Sequence, residues 1–284
     1  MANEQRDYEG IPLIPRNMEV ARILAGERGK ERLGQFEKAL TGYNSKAQET
    51  LKVYSINSAG KLVGSNVFAR ALLDTTAPEG TRGANIAELL RISDQDSALL
   101  SGTYEDVNSA VLRTLEDPQR PANTYLGKTL AKKLGIRQIK NPLVITNLTV
   151  KDDERSEYGL ILVPSKKTQV IDAPQLVGKN NQRKFTLYDN NGLPIFNEDT
   201  DKTGKRQVWT RDAGLSRLYL IRNLNLYSNN ENLALSNDVG RVVEISDEVA
   251  DANFAQKLDK IYKAQQSELL QRFEQAKKVL GGNQ

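Results

Sequence analysis

At Pro142 the apolar period of this 284-residue chain changes, and that change constrains the fold more than any single motif. Before it, apolar residues recur at helical spacing. Leu33, Phe36 and Leu40 sit at i, i+3 and i+7, which is one face of a helix. Helices are expected at Val67–Asp74, Ala84–Ile92, Tyr104–Leu115 and Thr124–Leu134, with Thr103 or Ser101 as the cap of the third. Pro118-Gln119-Arg120-Pro121 then divides the last two into a helical hairpin. One small β-hairpin is expected in this half, with Leu51–Ile56 returning through Asn57-Ser58-Ala59-Gly60 to Lys61–Val63.

After Pro142 the period is two. Leu143–Val150, Tyr158–Val163, Phe185–Tyr188, Pro194–Phe196 and Gln207–Thr210 read as strands, and Asp189-Asn190-Asn191-Gly192 is a tight-turn signal. Leu218, Leu220, Leu224 and Leu226 have even spacing and would share a sheet face with Arg222, unless a bulge re-phases the strand. From Ser246 the helical period returns. Phe254, Leu258, Ile261, Leu269, Phe273 and Leu280 form one stripe that ends at Gly281-Gly282.

With no regular βαβ alternation, the expected class is α+β: a helical N-terminal half with a small β-hairpin, an antiparallel β-rich middle and a long C-terminal amphipathic helix. The expected divisions are 1–141, 142–246 and 247–284.

The chain contains neither histidine nor cysteine. Triads built on His or Cys, zinc sites of Cys and His, and thiol redox chemistry are excluded, and no disulfide staples the fold. What remains is carboxylate, lysine, serine, tyrosine or arginine chemistry, or binding without chemistry. No cofactor is expected. The apolar runs are far shorter than the roughly 20 residues that span a bilayer, and Met1–Glu9 is polar. A cytoplasmic protein without membrane contact is expected.

Net charge is only +4, but it is segregated. Residues 74–117 carry three basic and nine acidic side chains, whereas 118–151 carry seven basic and none acidic. Within the basic window Arg120, Lys128, Lys132, Lys133, Arg137 and Lys140 are candidate contacts to nucleic acid. Residues at i and i+4 share a helix face, so Lys128 and Lys132 can present paired charge to a phosphate backbone. The string Leu130-Ala-Lys-Lys-Leu-Gly-Ile136 has the turn spacing of a helix-turn-helix, but Pro142 leaves no room for a recognition helix. The alternative for this window is a solvated face that neutralises the acidic stretch before it.

The other motifs are weaker. Asp199, Asp201 and Thr203, followed by Gly204, resemble the first half of a calcium loop, but Thr210 stands where the motif wants a bidentate Glu. Ser58-Ala-Gly-Lys61 has a serine–lysine spacing but falls in a hairpin turn. The Leu215–Asn223 string matches a leucine-rich repeat core only once. Asp152-Asp153-Glu154 with Glu157 is a tight acidic cluster, read as a charged turn because Lys151 and Arg155 are interspersed.

The leading expectation is a non-catalytic binding or assembly protein that packs or oligomerises with a protein partner or itself through the C-terminal stripe. Nucleic-acid binding through the 118–151 segment is the alternative. A carboxylate-dependent hydrolase is the third reading, since glycoside cleavage needs only two carboxyl groups.

Overall fold

Burial on both faces marks Tyr104–Leu112 as an interior element: eight of its nine residues are buried. In the computed structural model described here it is a strand with neighbours on both sides. The structure describes residues 20–95, 100–178, 183–196, 203–221 and 224–246. Residues 21–245 form one compact unit; the other, residues 1–20 with 246–284, lies outside the described residues apart from Val20 and Ser246.

In chain order the elements are β1 (Val20–Ile23), α1 (Gly26–Leu40), α2 (Ser45–Leu51), β2 (Ser55–Ile56), β3 (Leu62–Val63), α3 (Val67–Thr75), β4 (Thr81–Gly83), α4 (Ile86–Gln95) and β5 (Tyr104–Leu112). Then come α5 (Pro121–Leu134), β6 (Leu143–Asp152), β7 (Leu160–Asp172), a 3-10 turn (Pro174–Leu176), β8 (Lys184–Phe185), β9 (Leu187–Tyr188) and β10 (Pro194–Ile195). The last are β11 (Arg206–Trp209), β12 (Leu215–Ile221), β13 (Asn225–Tyr227), β14 (Gly240–Arg241) and β15 (Val243–Ser246).

The main sheet runs β7-β6-β5-β12-β13-β11-β8, and β14 pairs with β5 beside that path. It is mixed. β5 is antiparallel to β6 and β12, whereas β14 is parallel to β5 and β11 is parallel to β13. The expected class is therefore corrected. Strands dominate, the large sheet is not purely antiparallel, and its central strand comes from the half expected to be helical. The expected C-terminal helix lies outside the described residues.

The misreading of Tyr104–Leu115 has a physical cause. A strand buried on both faces shows no alternation of apolar and polar residues, so its period is silent. Here the silence is deepened by Glu105, Asp106 and Ser109, which are buried although polar. Thr103, the expected helix cap, instead donates to Leu100 O at 2.8 Å in the turn before the strand.

Alternate residues of β5 feed two cores. Ala110 and Leu112 join Phe36, Leu51, Phe68, Leu72, Leu126, Leu130, Ile145 and Leu160 on one face, under α1, α2, α3 and α5. Val107 and Val111 join Leu89, Leu90, Val144, Phe185, Val208, Leu220 and Leu226 on the other face, under α4. The layers are helix, sheet, helix. A hairpin is present as β2–β3, with Ser55 opposite Val63 and Ile56 opposite Leu62, but it is shorter than expected, because α2 takes up Leu51 and the strand begins only at Ser55. Leu220 and Leu226 are register partners across β12–β13, and the sheet is bulged between Arg217 and Tyr219.

Six arginines are buried among the described residues: Arg32, Arg70, Arg113, Arg206, Arg211 and Arg217. They act as cross-links between elements. Arg217 pairs with Asp106, Arg211 with Asp117, Arg32 with Glu244 and Arg206 with Asp94. Arg113 spans the 3-10 turn and the end of β13 instead, donating to Leu176 O, Ser216 Oγ, Ser228 O and Ser228 Oγ at 2.8–3.0 Å. Burial, with the like charge of Arg211, lowers the pKa of its guanidinium.

Candidate anion-binding groove

Helix α5 begins with Pro121 at its first turn, where a missing N–H costs nothing, and ends at Gly135 in the left-handed region (φ +69°). Tyr125, Thr129, Lys132 and Lys133 lie at i, i+4, i+7 and i+8, so they share one face. Lys132 and Lys133 occupy the last turn, where the negative end of the helix dipole favours cations.

That face is one wall of a cavity of about 730 Å³. The β6–β7 hairpin supplies the rest of the lining: Lys151, Asp152, Asp153, Arg155 and Ile161. Lys151 and Ile161 are register partners there. The turn is set by Gly159, whose φ of +69° few other residues adopt and whose Cβ, if present, would lie 2.5 Å from Ala47 N. The close approach brings the turn against the start of α2, and Asn44 there donates its backbone N–H and side-chain amide to Asp152.

Both carboxylates of the groove are occupied. Asp152 accepts from Asn44 at 3.0–3.3 Å. Asp153 accepts from Tyr125 Oη at 2.7 Å and from Arg155 Nε and Nη2 at 2.9 and 2.7 Å. Arg155 also lies over the Tyr125 ring, 5.5 Å from its centre. The Arg155 guanidinium and then the Tyr125 hydroxyl hold the Asp153 carboxyl well below the usual carboxylate range. A carboxylate held ionised in this way is a poor general acid.

Among the described residues, no side-chain hydrogen bond or ion pair engages Lys132, Lys133 or Lys151. The groove therefore carries three uncommitted ammonium groups beside two committed carboxylates.

The structure divides the six basic residues expected to contact nucleic acid. Lys132 and Lys133 line the groove. Arg120 pairs with Glu157 at 3.2 Å, and Lys128 pairs with Glu116. Arg137 and Lys140 are exposed beyond the end of α5 and do not line it. The sequence reading missed Lys151, Arg155 and Tyr125 as members of one site. Their signal was present as the acidic cluster with interspersed Lys151 and Arg155, but only the pairing of α5 with the β6–β7 hairpin joins that cluster to the lysines.

Of the expected calcium ligands, Asp199 and Asp201 lie outside the described residues, and Thr203 is exposed. Among the described residues, no group of three or more acidic side chains is placed to hold a metal ion. The expected interface residues Phe254, Leu258, Ile261, Leu269, Phe273 and Leu280 also lie outside the described residues. No described helix is long and apolar enough to cross a membrane.

Comparison with protein-family models, with curated proteins and with solved structures found no match.

Proposed function

We propose that this chain is a non-catalytic binding protein whose ligand is a polyanion of the phosphodiester type, held in the groove between α5 and the β6–β7 hairpin. The observation that carries the reading is the mismatch of commitment: Asp152 and Asp153 are satisfied internally, whereas Lys132, Lys133 and Lys151 have no partner among the described residues. Ammonium groups gathered on one concave surface lower the potential energy of an anion there, and a phosphate backbone supplies anions in series. Recognition of this kind reads charge and shape and not base sequence. A cytoplasmic setting belongs to the same reading, since the chain has no cysteine for an oxidising compartment to pair.

The test is binding of a labelled oligonucleotide across a salt series. Three lysine–phosphate contacts give a slope of log K against log salt of about −2.7, at roughly −0.9 per contact on duplex DNA. Lys132→Glu with Lys133→Glu reduces the slope toward about −0.9 and weakens binding. Lys166→Glu with Lys167→Glu, on the exposed part of β7, reverses the same charge away from the groove and leaves the slope unchanged. Absence of binding at low salt, or equal loss in both double variants, removes the reading.

A further inference from the structure

Glu105 is buried within the Ala21–Ile245 unit with no ion-pair partner among the described residues. It is the second residue of β5, is 1% exposed, and has Leu220 of β12 and Arg241 of β14 as register partners. No salt bridge engages it among the described residues, and its Oε2 has no hydrogen-bond partner. Its Oε1 is in short contact with Thr103 Oγ1.

The Thr103 hydroxyl also lies 2.8 Å from Leu100 O. A carbonyl oxygen only accepts, and a hydroxyl has one proton to donate. If Thr103 donates to Leu100, its oxygen faces Glu105 Oε1 as one acceptor against another, unless the carboxyl itself carries a proton. A protonated carboxyl satisfies both contacts in one chain: Glu105 O–H donates to Thr103 Oγ1, and Thr103 O–H donates to Leu100 O. The charged groups around it do not favour ionisation enough to replace that arrangement. Arg241 on β14 donates to Asp238 O and Gly240 O, Arg70 on α3 is engaged with Asp74 and three backbone carbonyls, and Asp106 on β5 itself is a like charge. β12 contributes the apolar Leu220.

We propose that Glu105 is a neutral carboxylic acid in the folded protein at neutral pH, and that its proton latches the Leu100–Thr103 turn to the central strand. Mildly alkaline solution opens the latch. Burial pushes the carboxyl up to about 8, against the smaller opposing pull of Thr103 and Arg241.

The consequence for stability has a definite sign. The native pKa lies above the ordinary value of 4.5, so folding takes up a proton between those two values. The stabilisation is fully present below about pH 4.5 and is lost as pH rises through about 8, the unfolding equilibrium constant rising by about tenfold per pH unit within that window.

Two measurements on the full chain test this. Infrared difference spectra titrated upward from neutral pH read the protonated carboxyl stretch in the wild-type fold. One such band at neutral pH, lost at alkaline pH, is expected, and its absence at neutral pH overturns the proposal whatever any variant does. Denaturant unfolding of wild type and Glu105→Gln reads the linkage. The ratio of their unfolding constants is expected to change by about tenfold per pH unit between about pH 5 and 8 and to level off above. A ratio that stays constant with pH overturns the latch.

Discussion

The ion pair between Asp106 and Arg217 offers the sharpest test of how the central sheet is held together. Asp106 lies on β5 and Arg217 on β12, beside the bulge that re-phases their pairing. The guanidinium donates Nε to Oδ1 at 2.9 Å and Nη2 to Oδ2 at 2.5 Å, and Nη1 to Leu235 O at 2.7 Å. It also lies 4.9 Å from the centre of the Tyr219 ring and 5.6 Å from that of Tyr104. The two side chains are 2% and 0% exposed. Removing one member leaves an uncompensated buried charge, which costs about 3–5 kcal/mol. Arg217→Met and Asp106→Leu are each expected to lose about that much in denaturant unfolding. For a unit the size of Ala21–Ile245, each kcal/mol moves Tm by roughly 2–4 °C, so either variant melts roughly 6–20 °C lower. The double variant removes both charges and the desolvation they suffer, and leaves Leu235 O without its guanidinium donor. It is expected to be more stable than either single variant. A double variant whose loss equals the sum of the single losses would show two independent side chains, and the cross-link account of the buried arginines would fail.

Three further outcomes are expected. Gly159→Ala forces a side chain into the left-handed region and against Ala47 N, so it costs at least about 2 kcal/mol by denaturant unfolding and weakens oligonucleotide binding of the protein that remains folded, because the turn bearing Asp153 and Arg155 moves. Arg113→Lys costs about 3 kcal/mol, since an ammonium cannot span Leu176, Ser216 and Ser228 together; a loss below about 1 kcal/mol in the same assay would contradict this. Asp153 has a lowered native pKa, so its contribution is present above the ordinary carboxylate range and lost as pH falls through the native value; the stability gap between wild type and Asp153→Asn is therefore expected to close in acid, and a gap that widens there would contradict the Arg155–Tyr125 clamp.

What was legible in the sequence was local. The α3 and α4 helices and the β6 strand were expected near their observed places, and the β2–β3 turn was marked by Asn57-Ser58-Ala59-Gly60, because apolar runs bounded by turn or capping residues are local signals. β5 was illegible because the information that makes it a strand is not local. Asp106 reads as a surface residue until Arg217, over a hundred positions later, is seen to neutralise it. The same reason limited the site. Lys132 and Lys133 were named from charge density alone, but that measure also named Arg120 and Lys128, whose charges Glu157 and Glu116 answer. Telling free cations from answered ones requires the tertiary placement of α5 against both the segment before it, which carries Glu116, and the β6–β7 hairpin, which carries Glu157.

The division of labour between the two kinds of cation follows from their chemistry. A guanidinium is planar, weakly hydrated and carries five donors in a fixed fork, so it can be buried where carbonyls and a carboxylate converge from several elements. Arg32 meets Glu244 together with Leu73 O and Thr76 O, and Arg70 reaches the carbonyls of Ala84, Asp106 and Val243. An ammonium is compact, strongly hydrated and carried on a flexible stem, so it serves best where a mobile anion must be met at the surface. Lys132, Lys133 and Lys151 are exposed around a groove whose carboxylates are already taken, the setting that the proposed function requires. A surplus of basic over acidic residues therefore has two separate meanings in this chain: buried arginines tie elements of the fold together, and lysines without a partner among the described residues line one groove at the surface.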